Sequence, residues 1–208
     1  MTQVEIELRL IHLRDVPAAA LRAQCRQESE RAARFRFARH RDRFLAGRTL
    51  LRHMLADWSG LPAARLRFGQ SGNGKPILLD RPALHFNLSY ADQAILIGVS
   101  EQAQLGVDIE QRRAFPEARA LAEDIFDRQE QAALRRGSAL PESDLFLCGW
   151  TRKEACLKAS AHGLALDPAS ISTGLETGAR HVRIGRTAVC RVETSMDDHH
   201  IISWATMI

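Results

Sequence analysis

The 208-residue sequence is 45% hydrophobic and 26% charged, with 29 Lys and Arg against 25 Asp and Glu for a net charge of +4. That is enough apolar material for one large or two small folded domains, and no apolar run nears the roughly 20 residues that span a bilayer. The opening M-T-Q-V-E-I-E is acidic and alternating rather than a signal sequence, so a soluble, cytoplasmic protein is expected.

In chain order, Val4 to Leu13 alternates apolar and charged residues, the pattern of a half-buried strand. Pro17 then opens a helical stretch, and a second helix is predicted from about Arg41 to Ser59. Phe44, Leu45, Leu51, Met54, Leu55 and Trp58 give it an apolar side, Arg48 and Arg52 lie one turn apart on another, and Gly60 and Pro62 end it. Leu66 to Phe68 reads as a short strand, followed by the turn Gln70-Ser71-Gly72-Asn73-Gly74-Lys75-Pro76, which holds Lys75 tightly. Leu84 to Tyr90 and Ala94 to Val99 form a predicted strand pair turned by Ala91-Asp92-Gln93. From Pro116 to about Ser160 the pattern is helical, restarting at Asp127. Glu130 stands three residues on, so a capping-box role and a site role are both open to it. Val182 to Ile184, Ala188 to Val192 and Ile201 to Ala205 are short strands.

Two segments concentrate chemistry. In Gly106-Val107-Asp108-Ile109-Glu110 the period of a strand puts both carboxylates on one face and the apolar pair on the other. In Trp150 to Leu164, W-T-R-K-E-A-C-L-K-A-S-A-H-G-L, Glu154 and Lys158 stand four apart on one helix face that Gly163 closes. Glu and Lys at that spacing are usually an ordinary surface pair; two strand carboxylates nearby make them, with Glu154, a predicted magnesium site. Cys25, Cys148, Cys156 and Cys190 lack C-x-x-C spacing and read as buried free thiols, and the histidines, His199-His200 included, lack metal-ligand spacing. The positive balance favours an anionic ligand or an acidic protein surface. Eight arginines from Arg31 to Arg52 give either a solvated face or a phosphate site.

The ordered set G-K-P, F-N-L-S, G-V-D-I-E, F-x-x-x-E and W-T-R-K-E-A-x-L-K-A-x-x-x-G-L resembles the surfactin-type (Sfp-type) 4'-phosphopantetheinyl transferases over about Arg31 to Leu164. The resemblance implies an α+β fold of two similar halves related by a pseudo-twofold axis, here 1–103 on the nucleotide side and 104–208 carrying the metal and catalytic motifs. It implies transfer of phosphopantetheine from coenzyme A to a serine of an apo acyl or peptidyl carrier protein, with Mg2+ and release of 3',5'-ADP. Asp108, Glu110 and Glu154 would be the metal ligands, with Glu154 also a candidate general base and Lys158 neutralising pyrophosphate charge. Lys75 and Pro76 would lie beside the adenine and 3'-phosphate, with Arg48 and Arg31 or Arg34 on that phosphate. Asn87, Ser89, Tyr90 and Lys153 complete the coenzyme A set, Lys153 either assisting there or facing solvent. Trp150 would pack beneath the site.

The sequence departs from the family in one place that bears on binding. Where the family commonly reads F-N-x-S-H-S, this chain has Ser89-Tyr90-Ala91, and a tyrosine brings no positive charge. Ala161 also stands where glycine is frequent. Two other readings stay open: a coenzyme A-binding sensor without catalysis, and a nucleic-acid-binding face over Arg31 to Arg52. A charge of +4 is small for the latter, and Phe35, Phe37 and Phe44 fall at core-like positions. Two mixed halves in one chain make a monomer sufficient, and no membrane contact is expected.

Overall fold

The computed structural model describes residues 4–161 and 166–208. The alternating N-terminal segment forms β1 (Glu7–His12), paired antiparallel with β5 (Ala94–Ser100), whose other edge pairs with β4 (His85–Ala91). The β4–β5 turn is two residues, Asp92 and Gln93, and Asp92 takes φ 43°, a left-handed conformation that aspartate tolerates. No helix follows Pro17 beyond one 3-10 turn, Ala18–Ala20; α1 waits until Arg26–Ala33. Its start is fixed by Glu28, which reaches back to accept the Gln24 amide at 2.9 Å. The long helix α2 (Ala38–Ser59) begins three residues before the predicted Arg41 and stops at Gly60 with φ 71°. The strand predicted at Leu66 lies later, as β2 (Phe68–Gln70) paired with β3 (Pro76–Leu78), because Leu66 turns into the core and its carbonyl accepts Arg52.

The second half opens with β6 (Leu105–Gln111). The predicted helical region divides into α3 (Ala118–Ile125), α4 (Arg128–Arg136) and α5 (Glu142–Ala159). Three strands close the chain, β7 (Arg180–Ile184), β8 (Ala188–Met196) and β9 (His200–Met207), in an antiparallel sheet ordered β6-β9-β8-β7. Helix α5 ends at Ala159, with Ala161 left-handed at φ 56°; the predicted stop at Gly163 lies outside the described residues.

Strand periodicity sorts the layers. Ile95, Ile97 and Val99 of β5 pack with Leu51, Met54 and Leu55 of α2, whereas Ala94 and Leu96 meet Leu105, Val107 and Ile109 of β6. On the far side of the second sheet, Cys190, Val192 and Ala205 pack against Ala155, Cys156 and Ala159 of α5. The order is therefore helix, sheet, sheet, helix, with an antiparallel sheet and a long helix in each half, as the α+β expectation requires. The four cysteines are free thiols, with Cys156 and Cys190 sulfurs 3.2 Å apart in the core. No described helix is long and apolar enough to cross a membrane.

Candidate active site

The strand β6 divides its side chains as its alternation predicts. Val107 and Ile109 enter the apolar cluster between the sheets, while Asp108 and Glu110 face α5, where Glu154 and Lys158 lie. Asp108 is 5% exposed. Its Oδ1 accepts Lys158 Nζ at 2.6 Å and Ser89 Oγ at 2.7 Å, and Lys158 also donates to Ser89 Oγ at 3.2 Å and to the Val107 carbonyl at 3.3 Å. Its Oδ2 is buried without a partner among the described residues.

Burial pushes the Asp108 carboxyl above its usual range even though Lys158 and Ser89 favour the charged form. Glu110 is raised by burial and by the charge of Asp108, against the opposing pull of Arg113 and the Trp150 indole. Glu154 is raised by burial and by both strand carboxylates, with Lys158 opposing. The three acids thus repel one another across a half-buried site that carries one lysine. Among the described residues, no group of three or more His, Cys, Asp or Glu side chains stands ready to hold a metal ion. The donor chemistry nevertheless fits a hard divalent cation: carboxylate oxygens only, repulsion that a cation would relieve, and a buried acceptor with nothing to accept.

The close approach of β6 to α5 depends on Gly106. A Cβ there would fall on the Ala155 carbonyl oxygen and the Ala159 nitrogen, both rigid backbone. We expect Gly106→Ala to push strand and helix apart, costing about 1–3 kcal/mol or more. Thermal unfolding measures that loss, and an unchanged melting temperature would show that the two elements can separate freely.

Several predicted residues land elsewhere. Lys153 neither faces solvent nor joins the site: it is fully buried, with Nζ bonded to Glu130 at 2.7 Å, to the Pro168 carbonyl at 2.9 Å and to the Ile171 carbonyl. Glu130 is the capping-box partner of Asp127, and its other oxygen accepts the Thr173 and Gly174 amides at 2.7 and 2.9 Å. Glu130 and Lys153 therefore form a structural ion pair behind α5. The Lys75 ammonium is turned to the backbone of the second half, and burial lowers its pKa to about 8. Asn87 accepts the Val107 amide at 2.9 Å, tying β4 to β6. Ser89 is at the carboxylates, and Trp150 packs with the cluster beneath them.

Three predicted nucleotide contacts do converge. Arg31, Arg48 and Pro76 line one cavity of about 770 Å³ with Phe44, Phe68 and Gln70, a volume in the range of small-molecule sites. The Arg48 guanidinium lies 4.0 Å from the Phe68 ring centre and its Nε is held by Glu28 at 3.2 Å. Burial pushes the Glu28 carboxyl up, but the Gln24 amide, Arg52 and Arg48 outweigh it and hold the pKa below the usual value. Arg34 is exposed and does not line the cavity. Phe37, expected in the core, is 51% exposed between Arg36 and Arg39.

Sequence reasoning missed Arg43 and Gly47. The Arg43 guanidinium sits 5.3 Å from the Tyr90 ring centre and donates to the Asp92 carbonyl at 2.8 Å. The Tyr90 hydroxyl occupies the space that a side chain on residue 47 would need, and burial raises its pKa to about 12. Arg43 was concealed within a run of similar arginines; only its helical register separates it from the rest.

Three mutually repelling carboxylates with a lysine, and an arginine-lined cavity whose Arg48 acts on Tyr90, the β4 neighbour of Ser89, suit a transferase acting on an anionic, nucleotide-sized donor. Comparison with known proteins narrows the class. Residues 104–205 match the family model of the 4'-phosphopantetheinyl transferase superfamily, and residues 15–102 match that of the 4'-phosphopantetheinyl transferase N-terminal region. The chain is 39% identical over 141 residues to the 4'-phosphopantetheinyl transferase HetI of a Nostoc species, covering 66% of this chain and 60% of that protein. It is 33% identical over 165 residues to the 4'-phosphopantetheinyl transferase psf-1 of Bacillus pumilus, covering 78% and 70%. With the 4'-phosphopantetheinyl transferase Sfp of Bacillus subtilis it shares 28% over 149 residues, covering 72% and 65%. The chain belongs to the 4'-phosphopantetheinyl transferase family, and these alignments span between 60% and 70% of the relatives' own length.

Proposed function

We propose that this protein transfers the 4'-phosphopantetheine group of coenzyme A to a serine hydroxyl of an apo acyl or peptidyl carrier protein, releasing 3',5'-ADP. The observation that carries the reading is the buried, unpartnered Asp108 Oδ2 within a three-carboxylate cluster that also holds Lys158. Asp108, Glu110 and Glu154 would hold Mg2+, which when bound supplies positive charge against the pyrophosphate. The chain's own residues do the rest. The serine oxygen attacks the phosphorus attached to pantetheine, and the bond from that phosphorus to the ADP oxygen breaks. Glu154, raised by burial beside its fellow acids, accepts the serine proton, since a higher pKa makes a better base at neutral pH. Lys158 offsets negative charge as it moves toward the departing nucleotide. Arg31 and Arg48 hold the nucleotide phosphates in the cavity, with Phe68 and Pro76 as its apolar walls. The boundary between the two halves falls at residues 103 and 104, between β5 and β6. We read the protein as a cytoplasmic monomer: its cysteines are free thiols, as in a reducing compartment, and both mixed halves stand in one chain.

Mass spectrometry of an apo carrier protein incubated with the protein, coenzyme A and Mg2+ tests this. A gain of one phosphopantetheine group is expected. No gain on several carriers, with coenzyme A still bound, would instead support the sensor reading and make Tyr90 the first suspect.

Tyr90 carries its own prediction. It lies under Arg43, the charges of Arg43 and Arg48 both act on its hydroxyl, and Tyr90→His would offer a cationic donor to a phosphate in the same place. We expect tighter coenzyme A binding by calorimetry. Because two guanidiniums already surround the position and disfavour an imidazolium, the gain stays below about tenfold, equivalent to about 1.4 kcal/mol. Equal or weaker binding would count against a phosphate contact at residue 90.

A further inference from the structure

The β2–β3 hairpin presents two sides to two parts of the molecule. On one, Gln70 and Pro76, which face each other across the ladder, line the arginine-rich cavity. On the other, Lys75 extends its ammonium into the second half, donating to the carbonyls of Leu105 at 2.8 Å, Lys158 at 2.7 Å and Ala159 at 3.3 Å. The last two belong to the final turn of α5, whose carbonyls lack intrahelical partners and carry the negative end of the helix dipole. The first is the opening residue of β6. Lys75 thus bridges the start of the acidic strand and the end of the helix that bears Glu154 and Lys158, beside the backbone contact at Gly106.

The turn that delivers this side chain is itself well bonded. The Ser71 amide donates to the Lys75 carbonyl at 2.8 Å, the Gly74 amide to the Ser71 carbonyl at 2.9 Å, and the Lys75 amide to Ser71 Oγ at 3.2 Å. The turn thus fixes the backbone of Lys75 while the three carbonyls fix its ammonium, so the side chain is tethered at both ends. Lys158 is held at both ends, its carbonyl by Lys75 and its Nζ by Asp108 and Ser89.

Resting on the transferase reading of the site, we infer that Lys75 is a positioning residue: it couples the nucleotide cavity to the catalytic helix by pinning the C-terminal turn of α5 to β6. It is not a ligand of the nucleotide 3'-phosphate. The two roles predict opposite results. A phosphate ligand, once removed, weakens coenzyme A binding and erases the preference for coenzyme A over dephospho-coenzyme A, which lacks that phosphate. A positioning residue leaves both in place and lowers turnover.

The experiment compares the full-length protein with Lys75→Met and Lys75→Arg. Calorimetry gives the affinities for coenzyme A and dephospho-coenzyme A. Transfer to an apo acyl carrier protein gives kcat and KM. Amide exchange reports the Ser160 N–H, which bonds the Cys156 carbonyl at 3.0 Å in the pinned turn. For Lys75→Met we expect coenzyme A affinity within threefold of wild type, unchanged preference for the 3'-phosphate, kcat lower by tenfold or more, and faster exchange at Ser160. Lys75→Arg, which keeps a cationic donor, should recover most of the turnover. Lost affinity together with lost 3'-phosphate preference would overturn the inference, as would unchanged kcat and exchange. If wild type transfers nothing, the transferase reading fails, while the binding and exchange arms still decide what Lys75 does. Lys75→Gln takes the place of the methionine variant should that one not fold.

Discussion

Glu154→Gln is expected to lower phosphopantetheine transfer by about 10²–10³-fold while leaving the melting temperature unchanged or slightly higher, the range seen when one preorganised electrostatic group is removed from a site. The two halves of that expectation have one cause. Glu154 is half-buried, and burial together with Asp108 and Glu110 makes its charged form unfavourable in the folded protein, with Lys158 offsetting only part. A carboxyl raised in the folded state contributes stability that is present below its unfolded pKa and is lost as pH rises through the folded value. At neutral pH the charge therefore burdens the fold, and an isosteric amide removes the burden. On the proposed mechanism, activity would lose a metal ligand and the acceptor of the serine proton at the same position. Added Mg2+ should raise the melting temperature of the wild type and do so far less for Glu154→Gln, because binding to the folded state stabilises it in proportion to affinity. Equal Mg2+ stabilisation of both proteins would remove Glu154 from the metal site. A marked fall in melting temperature would mean that the carboxylate is structural.

The acidic strand was legible because one residue of shift in a strand exchanges its two faces. Val107 and Ile109 demand a core, and that demand alone sends Asp108 and Glu110 the other way. Glu154 and Lys158 were legible as a pair four apart, but the direction in which they point was not. Helix α5 buries thirteen of its eighteen residues, so its apolar pattern surrounds it and marks no single inward face. Lys153 shows the consequence. Next to Glu154 in sequence, it is about 100° away around the helix and enters the core behind the site. Gly106, which lets α5 lie against β6, reads in sequence as an ordinary strand residue, since the neighbour it accommodates is nearly fifty positions later. Lys75 was held by a recognisable turn, yet the turn fixes only its backbone, and the carbonyls its ammonium meets lie in the other half. In the first half, Arg31 and Arg34 are three apart near the end of one short helix. No periodicity tells which of them lines the cavity; the fold places Arg31 there.

Breaking the buried pair Lys153 and Glu130 should destabilise the second half about as much as truncating one of its large core side chains. Lys153 is 0% exposed and Glu130 3%, and every polar atom of the pair is engaged: three acceptors for the ammonium, and the amides of Asp127, Thr173 and Gly174 for the carboxylate. Removing one partner of such a pair leaves an uncompensated buried charge and costs about 3–5 kcal/mol. For a chain of this size each kcal/mol shifts the midpoint by about 2–4 °C, so Lys153→Met should lower the melting temperature by about 6–20 °C. Glu130→Gln strands the lysine but keeps one oxygen acceptor and should fall at the lower end. The double variant should be less destabilised than the two single losses added together, by about 0.5–3 kcal/mol of coupling, because neither charge is then left alone. Coenzyme A affinity, measured below the transition of each variant, should stay near wild type, since the pair lies behind α5 and away from the arginine-lined cavity. Tenfold weaker binding by Lys153→Met at an unchanged melting temperature would restore the nucleotide contact that the family resemblance suggested. Additive losses in the double variant would show instead that the two charges are held by their backbone partners and not by each other.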